Sequence, residues 1–311
     1  MYYPYFRGKQ YELITIRENA KLMSQANIIP IIEPVKRSLS GLRRALEALV
    51  AQKAQFVLVM NPVHGEINEG AEELQSEIVD DLLADYGCSL GYIVHSKTSI
   101  DSIKAFCQRQ DKAISIIHYG YPRGSELAEE VSSIVRVNGH IFIDKHCSRL
   151  YRRHFSNNFR VLVNDGFVKR TNREHPVVEH FSDLHITYQD EGVDGFGDFL
   201  IVGDDFAEGG GPAYAIAIHL TYVDRNEDND MFVKHYISDR TTSPTDPGGK
   251  FLEALQKLVD DVEDPNSMIL RSEAVDEFLE LHNRRHFPGL GYVKKLSMQH
   301  HIELLASLQG G

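Results

Sequence analysis

Short apolar segments that end at a polar side chain recur along the first two-thirds of the chain. In the clearest of them, residues 28–35, only Glu33 and two prolines interrupt the apolar run. Near-continuous apolar character of this kind predicts a strand that is buried on both faces. Six further segments share the pattern, namely residues 56–60 before Asn61, 90–94 before His95, 113–117 before His118, 141–143 before Asp144, 160–163 before Asn164 and Asp165, and 199–203 before Asp204 and Asp205. A largely parallel sheet is therefore predicted.

Helical patterns separate these strand segments. After Ser40, a predicted N-cap, Leu42, Leu46 and Leu49 recur along one helix face. Strand and helix patterns alternate in this way eight times over roughly 200 residues, which predicts a (β/α)8 TIM-like barrel, an α/β fold, over residues 1–208. An open doubly wound sheet is the main alternative, because it shows the same alternation.

The pattern changes near the end of the predicted barrel. Residues 198–203 are the predicted eighth strand, after a segment, residues 177–184, that is interpreted as a helical or irregular return. A glycine-rich break at residues 209–212 follows, and residues 214–238 predict a β-hairpin inserted after strand eight. Helical segments then continue to the last residues, so residues 209–311 are assigned to the hairpin insertion and to helices packed on the barrel.

The first strand of the hairpin is predicted to be buried on both faces. Residues 215–218, Ala-Ile-Ala-Ile, are apolar without any alternation, so both faces of the strand need a cover. The barrel is one predicted cover. The second cover is a protein partner, a second copy of the chain, or the terminal helices of the same chain, and the sequence leaves these alternatives open.

The charge of the chain limits which partners it can have. The formal net charge of −12 argues against broad, nonspecific nucleic-acid binding, which needs Lys and Arg over a wide surface. A local exception lies between Lys145 and Arg173, where eight basic residues accompany the single acid Asp165. This basic island could meet a phosphate group or an acidic partner, although a solvated surface explains such a run as often.

Composition favours a cytoplasmic location. No apolar stretch approaches the ~20 residues of a membrane helix, and the first residues lack a charged and then apolar leader. Cys88, Cys107 and Cys147 are odd in number, widely spaced and without a Cys-x-x-Cys unit, so neither a disulfide framework nor a cysteine zinc site is expected. We therefore predict a cytoplasmic protein with reduced thiols and no membrane partner.

Polar side chains at the strand ends form the predicted site. In a parallel barrel these ends meet at one mouth, where barrel enzymes keep their catalytic residues. The predicted strand-end set is Arg7, Glu33, Asn61, His95, His118, Asp144, Asp165, Asp204 and Asp205. Carboxylates and imidazoles bind divalent ions, so a catalytic or metal site is one interpretation. The other is that polar residues end strands in any case, because they cap helices and meet water.

The metal interpretation assigns a role to each residue. A divalent metal ion, the one cofactor considered, would activate water for hydrolysis of a phosphoester. Its predicted ligands are Glu33, Asp144 and Asp204, and the predicted catalytic residues are Glu33, His95, His118 and Asp204. The residues predicted to hold the phosphate-containing substrate are Arg7, Lys9, Asn61 and Lys145. This assignment depends only on position at the strand ends.

Two segments near the start resemble a known family. They are residues 2–13, Tyr-Tyr-Pro-Tyr-Phe-Arg-Gly-Lys-Gln-Tyr-Glu-Leu, and residues 28–36, Ile-Ile-Pro-Ile-Ile-Glu-Pro-Val-Lys. Both are similar to the "beta protein" family of phage satellites and its bacterial relatives. Residues 194–198, residues 203–206 and the histidine-containing end, residues 294–304, resemble the bacterial branch, so the likeness spans most of the chain.

The resemblance implies a biological setting and no particular reaction. It implies a protein of prokaryotic mobile elements that is encoded beside a partner and acts in anti-phage defence or restrains a toxic neighbour. We therefore predict a component of a two-gene phage-defence or toxin–antitoxin-like cassette that acts through a partner protein, a toxin or effector encoded by the neighbouring gene. The alternative is a metal-dependent phosphoester or nucleic-acid hydrolase with its site at the C-terminal face of the barrel. Both hypotheses leave a homo-oligomer open.

Overall fold

The computed structural model describes most of the chain. The described residues are 1–67, 71–207, 209 and 211–309. The glycine-rich break and the predicted boundary between residues 208 and 209 include Glu208 and Gly210, which lie outside the described residues.

The chain divides into two compact units. The first comprises Met1–Asp165 and Thr187–Phe199 and is called the barrel unit. The second comprises Gly166–Ile186 and Leu200–Gly311 and is called the hairpin unit.

Eight parallel strands form the sheet of the barrel unit. In sheet order they are β1 (Tyr5–Phe6), β2 (Ile31–Ile32), β3 (Val57–Val59), β4 (Ser89–Val94), β5 (Ala113–His118), β6 (Val137–Ile143), β7 (Phe159–Asn164) and β9 (Gly195–Asp198). The strand between β7 and β9 along the chain, β8 (Val178–Ser182), belongs to the sheet of the hairpin unit. Each strand pairs in parallel with the next one in this order. The order follows the chain, as in a barrel whose strands are added one after another.

The sheet closes between its last strand, β9, and residues 1–3, which precede β1. A parallel bridge pairs Tyr2 with Phe196. The backbone N–H of Tyr3 donates to the carbonyl oxygen of Phe196 at 2.8 Å, and the N–H of Phe196 donates to that of Met1 at 3.1 Å. Gly197 permits this approach, because a Cβ atom there would lie 2.1 Å from the carbonyl oxygen of Tyr3. The predicted barrel is therefore confirmed as a nearly closed, eight-stranded parallel sheet.

Helices connect the barrel strands. They are α1 (Gln10–Gln25), α2 (Ser40–Ala51), α3 (Ala71–Leu74) with its π-helical continuation Gln75–Leu82, α4 (Ile100–Arg109), α5 (Gly124–Ser132), α6 (Arg149–Arg152) and the short α7 (Leu184–Thr187). Ser99 caps α4, since its hydroxyl accepts the N–H of Ser102 at 3.1 Å. The predicted cap at Ser40 is wrong, because α2 begins at Ser40 and the N-cap position belongs to Leu39.

Side chains from every second strand position fill the barrel interior. They include Ile141 and Ile143 of β6 and Val161 and Val163 of β7, all of them buried. Successive side chains of a strand point to opposite faces, so the residues between them face the helices. The remaining members of this core are Tyr3, Tyr5, Ile31, Val57, Val59, Ile93, Ile117 and Phe199.

Two segments differ from the sequence-based predictions. The eighth barrel strand is β9, which precedes the predicted segment 198–203 almost entirely, and Leu200 within that segment adopts a positive φ of 50°. Residues 177–184 were interpreted as a helical or irregular return, and this is wrong because β8 lies within them. Both errors concern strands with few apolar residues, where periodicity is weak.

The hairpin unit contains a three-stranded antiparallel sheet. Its strands are β10 (Ala217–Asp224), β11 (Asp230–Ile237) and β8, in the order β10-β11-β8. The hairpin predicted for residues 214–238 is confirmed. Asp228 and Asn229 in its turn have φ values of 54° and 63°, a left-handed conformation that Asp and Asn tolerate better than most residues.

Helices of the same unit cover the hairpin. They are α8 (Pro247–Glu263), α9 (Glu273–Asn283) and α10 (Leu290–Gln309). Ile216, Ile218 and Leu220 form one core with Phe251 of α8 and Phe278 of α9. The sequence left open what covers the second face of the first hairpin strand. The structure shows the terminal helices of the same chain there. Among the described helices, none combines the length and the apolar composition needed to cross a membrane.

Candidate functional site

Glu33 lies at the carboxyl end of β2 and faces the barrel interior, two residues beyond the inward-facing Ile31. Its side chain is fully buried. The hydroxyl of Tyr5 donates to one carboxylate oxygen at 3.0 Å, and Arg7 Nε lies 3.6 Å from the same oxygen. The other oxygen accepts from the N–H of His64 at 3.2 Å and lies 3.1 Å from its Nδ1. We call this group the Glu33 network.

The network keeps Glu33 ionised. Burial alone would raise the pKa of Glu33, but a hydrogen bond from His64, the charges of His64 and Arg7, and the N–H of Val63 outweigh it and lower that pKa. The Val63 N–H donates to the carboxylate at 2.9 Å. Both oxygens therefore already accept from protein donors, and Glu33 fastens the segment after β3 to the barrel mouth.

Three rings line the barrel mouth beside this network. His64 follows β3, Tyr119 follows β5, and His146 lies in the 3₁₀ turn Asp144–His146 after β6. The rings of His64 and Tyr119 are 6.4 Å apart in an edge-to-face arrangement, and those of Tyr119 and His146 are 4.1 Å apart. His64 and Tyr119 are half-buried, whereas His146 is exposed. We call these three residues the ring row.

Asn61 and His95 hold neighbouring strand ends together. The side-chain amide of Asn61 donates to the carbonyl oxygen of Ile93 at 2.8 Å, and its oxygen accepts the N–H of Ile93 at 2.7 Å. The Nδ1 atom of His95 accepts the N–H of Lys97 at 3.2 Å. These contacts bridge β3 to β4 and shape the turn after β4, and both side chains are half-buried at the mouth.

His118 lies away from the barrel interior. Because Ile117 faces inward, His118 faces the helix layer, where it is fully buried. Its Nδ1 lies 2.7 Å from the hydroxyl of Tyr151 and its Nε2 lies 2.9 Å from Nδ1 of His140. Burial, and next the proximity of His140, hold the pKa of His118 well below its usual range. His118 therefore lies outside the Glu33 network, which corrects the expectation that it shares the barrel mouth.

The remaining barrel-unit predictions lie near the mouth. Asp144 is exposed and accepts from Arg152 Nη1 at 2.7 Å, and the buried Arg152 also bonds Glu191 at 2.5 Å. Lys145 is exposed in the same turn, and Lys9 is half-buried at the N-cap position of α1. Lys145 is therefore the exposed cation of this set.

The two predicted aspartates after the last apolar segment belong to the hairpin unit. Asp204 is buried and Asp205 is exposed, with an oxygen 4.0 Å from Lys169 Nζ. Asp165, half-buried, is the last residue of the first barrel-unit segment. The predicted metal ligands Glu33 and Asp204 are thus assigned to different units.

One group of potential ligands was missed by sequence reasoning. His175, Glu179 and His235 each offer one ligand atom, and these atoms all lie within 4.8 Å of one another. Glu179 lies in the segment 177–184 that was interpreted as a helical or irregular return, so its place on a strand beside β11 was not expected. A signal was present in the hairpin, where His219 and His235 are direct partners on paired strands.

Comparisons with family models, with curated proteins and with solved structures find no match to this chain. The resemblance to the "beta protein" family therefore stays a prediction. The function has to be argued from the geometry of the two units.

Proposed function

We propose that the barrel unit binds a phosphate-containing ligand with a flat ring at the carboxyl ends of its strands. The observation that carries this proposal is the ring row beside the Glu33 network. The rings of Tyr119 and His146 pack closely. Tyr119, and Val63 beside His64, also pack against the apolar barrel interior, which holds the row in place. Parallel barrels bind their ligands at this face.

An exposed lysine at the mouth favours an anionic group on the ligand. Lys145 is exposed in the turn after β6, and the next helix adds the exposed Arg149, which pairs with Glu191 at 2.8 Å. Arg7 is buried beside Glu33, and its guanidinium stacks 5.0 Å from the ring of Phe199. Arg7 therefore stabilises the Glu33 carboxylate, whereas Lys145 supplies the positive charge that would bind a phosphate.

Metal-dependent hydrolysis at this face has less support than binding. An ion on Glu33 would displace donors that already occupy both carboxylate oxygens, and such donors are lost only at a cost of about 1–3 kcal/mol each. Binding needs none of these bonds to break. The hydrolase hypothesis predicts divalent-ion-dependent cleavage that is lost on Glu33→Ala, and it is abandoned if the purified protein cleaves no phosphoester.

Ligand binding is tested by calorimetric titration with AMP and with inorganic phosphate. Replacing Tyr119 by Ala removes a ring face, so AMP affinity is expected to fall by the equivalent of about 1–3 kcal/mol. The matched control is His286→Ala, which removes an exposed ring in the hairpin unit and should leave affinity unchanged. Failure of the wild-type chain to bind either probe, or equal affinity in both variants, contradicts the proposal.

A specific observation also favours the predicted partner protein. β8 is an edge strand of the hairpin-unit sheet, and among the described residues no further strand pairs with its outer side. Val177 and Val178 beside this edge are 68% and 39% exposed. We propose that the product of the neighbouring gene adds a strand to β8, since exposed edges accept extended segments through main-chain hydrogen bonds.

The partner proposal is tested by co-purification of the two gene products. Val177→Lys places a charge at the edge and is expected to reduce the recovered partner strongly, because edge lysines block strand addition. Val135→Lys is the matched control, since Val135 is a 96% exposed valine in the barrel unit. Recovery of equal partner with both variants would rule out this edge as the contact.

A further inference from the structure

A compact group of imidazoles surrounds one carboxylate in the hairpin unit. His175 Nδ1 lies 3.3 Å from Glu179 Oε1, and His235 Nε2 lies 3.0 Å from the same oxygen. His175 precedes β8, Glu179 lies on β8 and His235 on β11. The backbone N–H of His235 donates to the carbonyl oxygen of Val177 at 2.8 Å, so the ladder between the two strands sets this spacing.

The spacing of the three ligand atoms fits one small ion. Zinc bound to imidazole nitrogen and carboxylate oxygen has bonds of about 2.0–2.2 Å in a tetrahedral arrangement. Two ligand atoms on such a tetrahedron are about 3.3–3.6 Å apart, because the edge is about 1.63 times the bond length. The observed distances of 3.3 and 3.0 Å to Glu179 are near that edge, and the third is at most 4.8 Å.

The imidazoles are buried and uncharged. The side chains of His175 and His235 are 1% and 0% exposed, and the ring of Phe167 lies 5.5 and 6.2 Å from theirs. Burial is the main cause of a lowered pKa at both residues. It lowers the pKa of His175, and it lowers that of His235 to about 4. The nitrogens that face Glu179, His175 Nδ1 and His235 Nε2, are the ones that would bind the ion, and each neutral ring then carries its proton on its other nitrogen.

A further histidine orients His235. Its Nδ1 lies 2.6 Å from Nδ1 of His219, the residue directly opposite on β10. When Nε2 of His235 binds a cation, its remaining ring proton is on Nδ1 and is donated to His219. Metal-binding histidines commonly donate their second ring N–H in this way, and the partner fixes the tautomer and the ring orientation.

Glu179 has enough acceptor capacity for an ion and for its other partner. Arg170 Nη1 lies 2.7 and 2.6 Å from the two oxygens of Glu179. A carboxylate offers about four lone-pair sites on its two oxygens, so Oε1 can bind the ion while Oε2 keeps Arg170. The arginine also neutralises the half-buried carboxylate in the absence of an ion, which explains how the group is tolerated there.

We propose that His175, Glu179 and His235 bind a divalent transition-metal ion, with zinc as the preferred one. Imidazole ligands favour zinc and its neighbours in the first transition row over magnesium and calcium, which prefer oxygen ligands alone. The bound ion fastens β8 to β11 and so stabilises the edge strand of the sheet. This site goes beyond the ligand binding proposed for the barrel unit and does not depend on it.

The experiment measures metal content in the full chain. After removal of metal by a chelator, the protein is loaded with zinc chloride, dialysed and measured by mass spectrometry. One zinc per chain is expected for the wild type, and at least tenfold less retained zinc is expected for Glu179→Gln and His235→Gln. His180→Gln is the matched control, because His180 is the next residue on β8, is exposed and pairs with Asp230.

A second measurement needs no variant and so does not depend on variant folding. Cobalt loaded in place of zinc is expected to give the intense visible absorption of tetrahedral coordination, and added zinc should remove it. A weak octahedral spectrum, or a wild-type chain that retains no zinc, overturns the proposal. Equal zinc retention by the wild type and the folded Glu179 and His235 variants overturns it as well, since the ion then lies elsewhere.

Discussion

A carboxylate in a protein interior is stable only where donors surround it, and Glu33 meets that condition through Tyr5, Arg7 and His64. Glu33→Gln replaces one acceptor oxygen by an amide that faces donors and leaves Arg7 without its counter-charge. We expect a loss of about 3–5 kcal/mol in the free energy of unfolding, measured by urea denaturation near neutral pH. Glu66→Gln is the control, because Glu66 and its partner Lys36 are exposed and such pairs contribute about 1 kcal/mol or less.

The stability difference between wild type and Glu33→Gln is also expected to depend on pH. The pKa of Glu33 is lowered from its usual 4.5 in the folded state, so its stabilising contribution is complete above that value and is lost as pH falls through the folded-state pKa. The difference in unfolding free energy between wild type and Glu33→Gln should therefore shrink in acid. A difference that stays constant down to the acid unfolding transition would show that Glu33 is not held as a carboxylate.

Strand alternation explains which site residues the sequence could predict. Arg7 and Glu33 follow strands, as predicted. Each lies two residues after an inward-facing side chain, Tyr5 or Ile31, so in an extended chain it points to the same side. Residues 113–117 are apolar except for the small Ser115, and one small polar residue is a weak guide to which face is inward. The prediction therefore chose His118, whereas Tyr119 has the inward register after Ile117 and lies at the mouth.

At the scale of elements, the last barrel strand shows where pattern reasoning fails. β9 reads Gly-Phe-Gly-Asp and contains a single apolar residue, so neither periodicity nor propensity identifies it as a strand. Its glycines are needed because β9 lies so close to Met1 and Tyr3. The later apolar segment was predicted in its place, although Phe199 and Leu200 are buried without extending the sheet.

Barrel closure depends on the missing side chain of Gly197. A Cβ atom there would lie 2.1 Å from the carbonyl oxygen of Tyr3, a backbone atom that cannot move without breaking the closing hydrogen bonds. Gly197→Ala is expected to cost about 1–3 kcal/mol or more, measured by thermal or urea unfolding. Gly139→Ala in β6 is the control, since its nearest neighbour would be 3.6 Å away. Equal effects of the two substitutions would contradict a tight closure at β9.

At the scale of the whole molecule, both units bury neutral histidines. His118 and His140 are fully buried in the barrel unit, and His300 is fully buried in the hairpin unit. His300 is satisfied as a neutral ring, because Nε2 donates to the carbonyl oxygen of Thr221 at 2.8 Å and Nδ1 lies 2.8 Å from the hydroxyl of Ser272. Burial lowers the pKa of His140 to about 3 and that of His300 to about 4.

These histidines predict that acid weakens the fold well above the pKa of carboxylates. In the unfolded chain they bind protons below 6.5, whereas the folded chain excludes those protons. Stability is therefore complete above pH 6.5 and falls as pH drops, by about 1.4 kcal/mol per pH unit for each such imidazole. Urea unfolding between pH 7.5 and pH 5, with a chelator present, measures this slope. His300→Gln should lower the slope by one imidazole's share, His286→Gln at the surface should leave it unchanged, and equal slopes for all three proteins would contradict the argument.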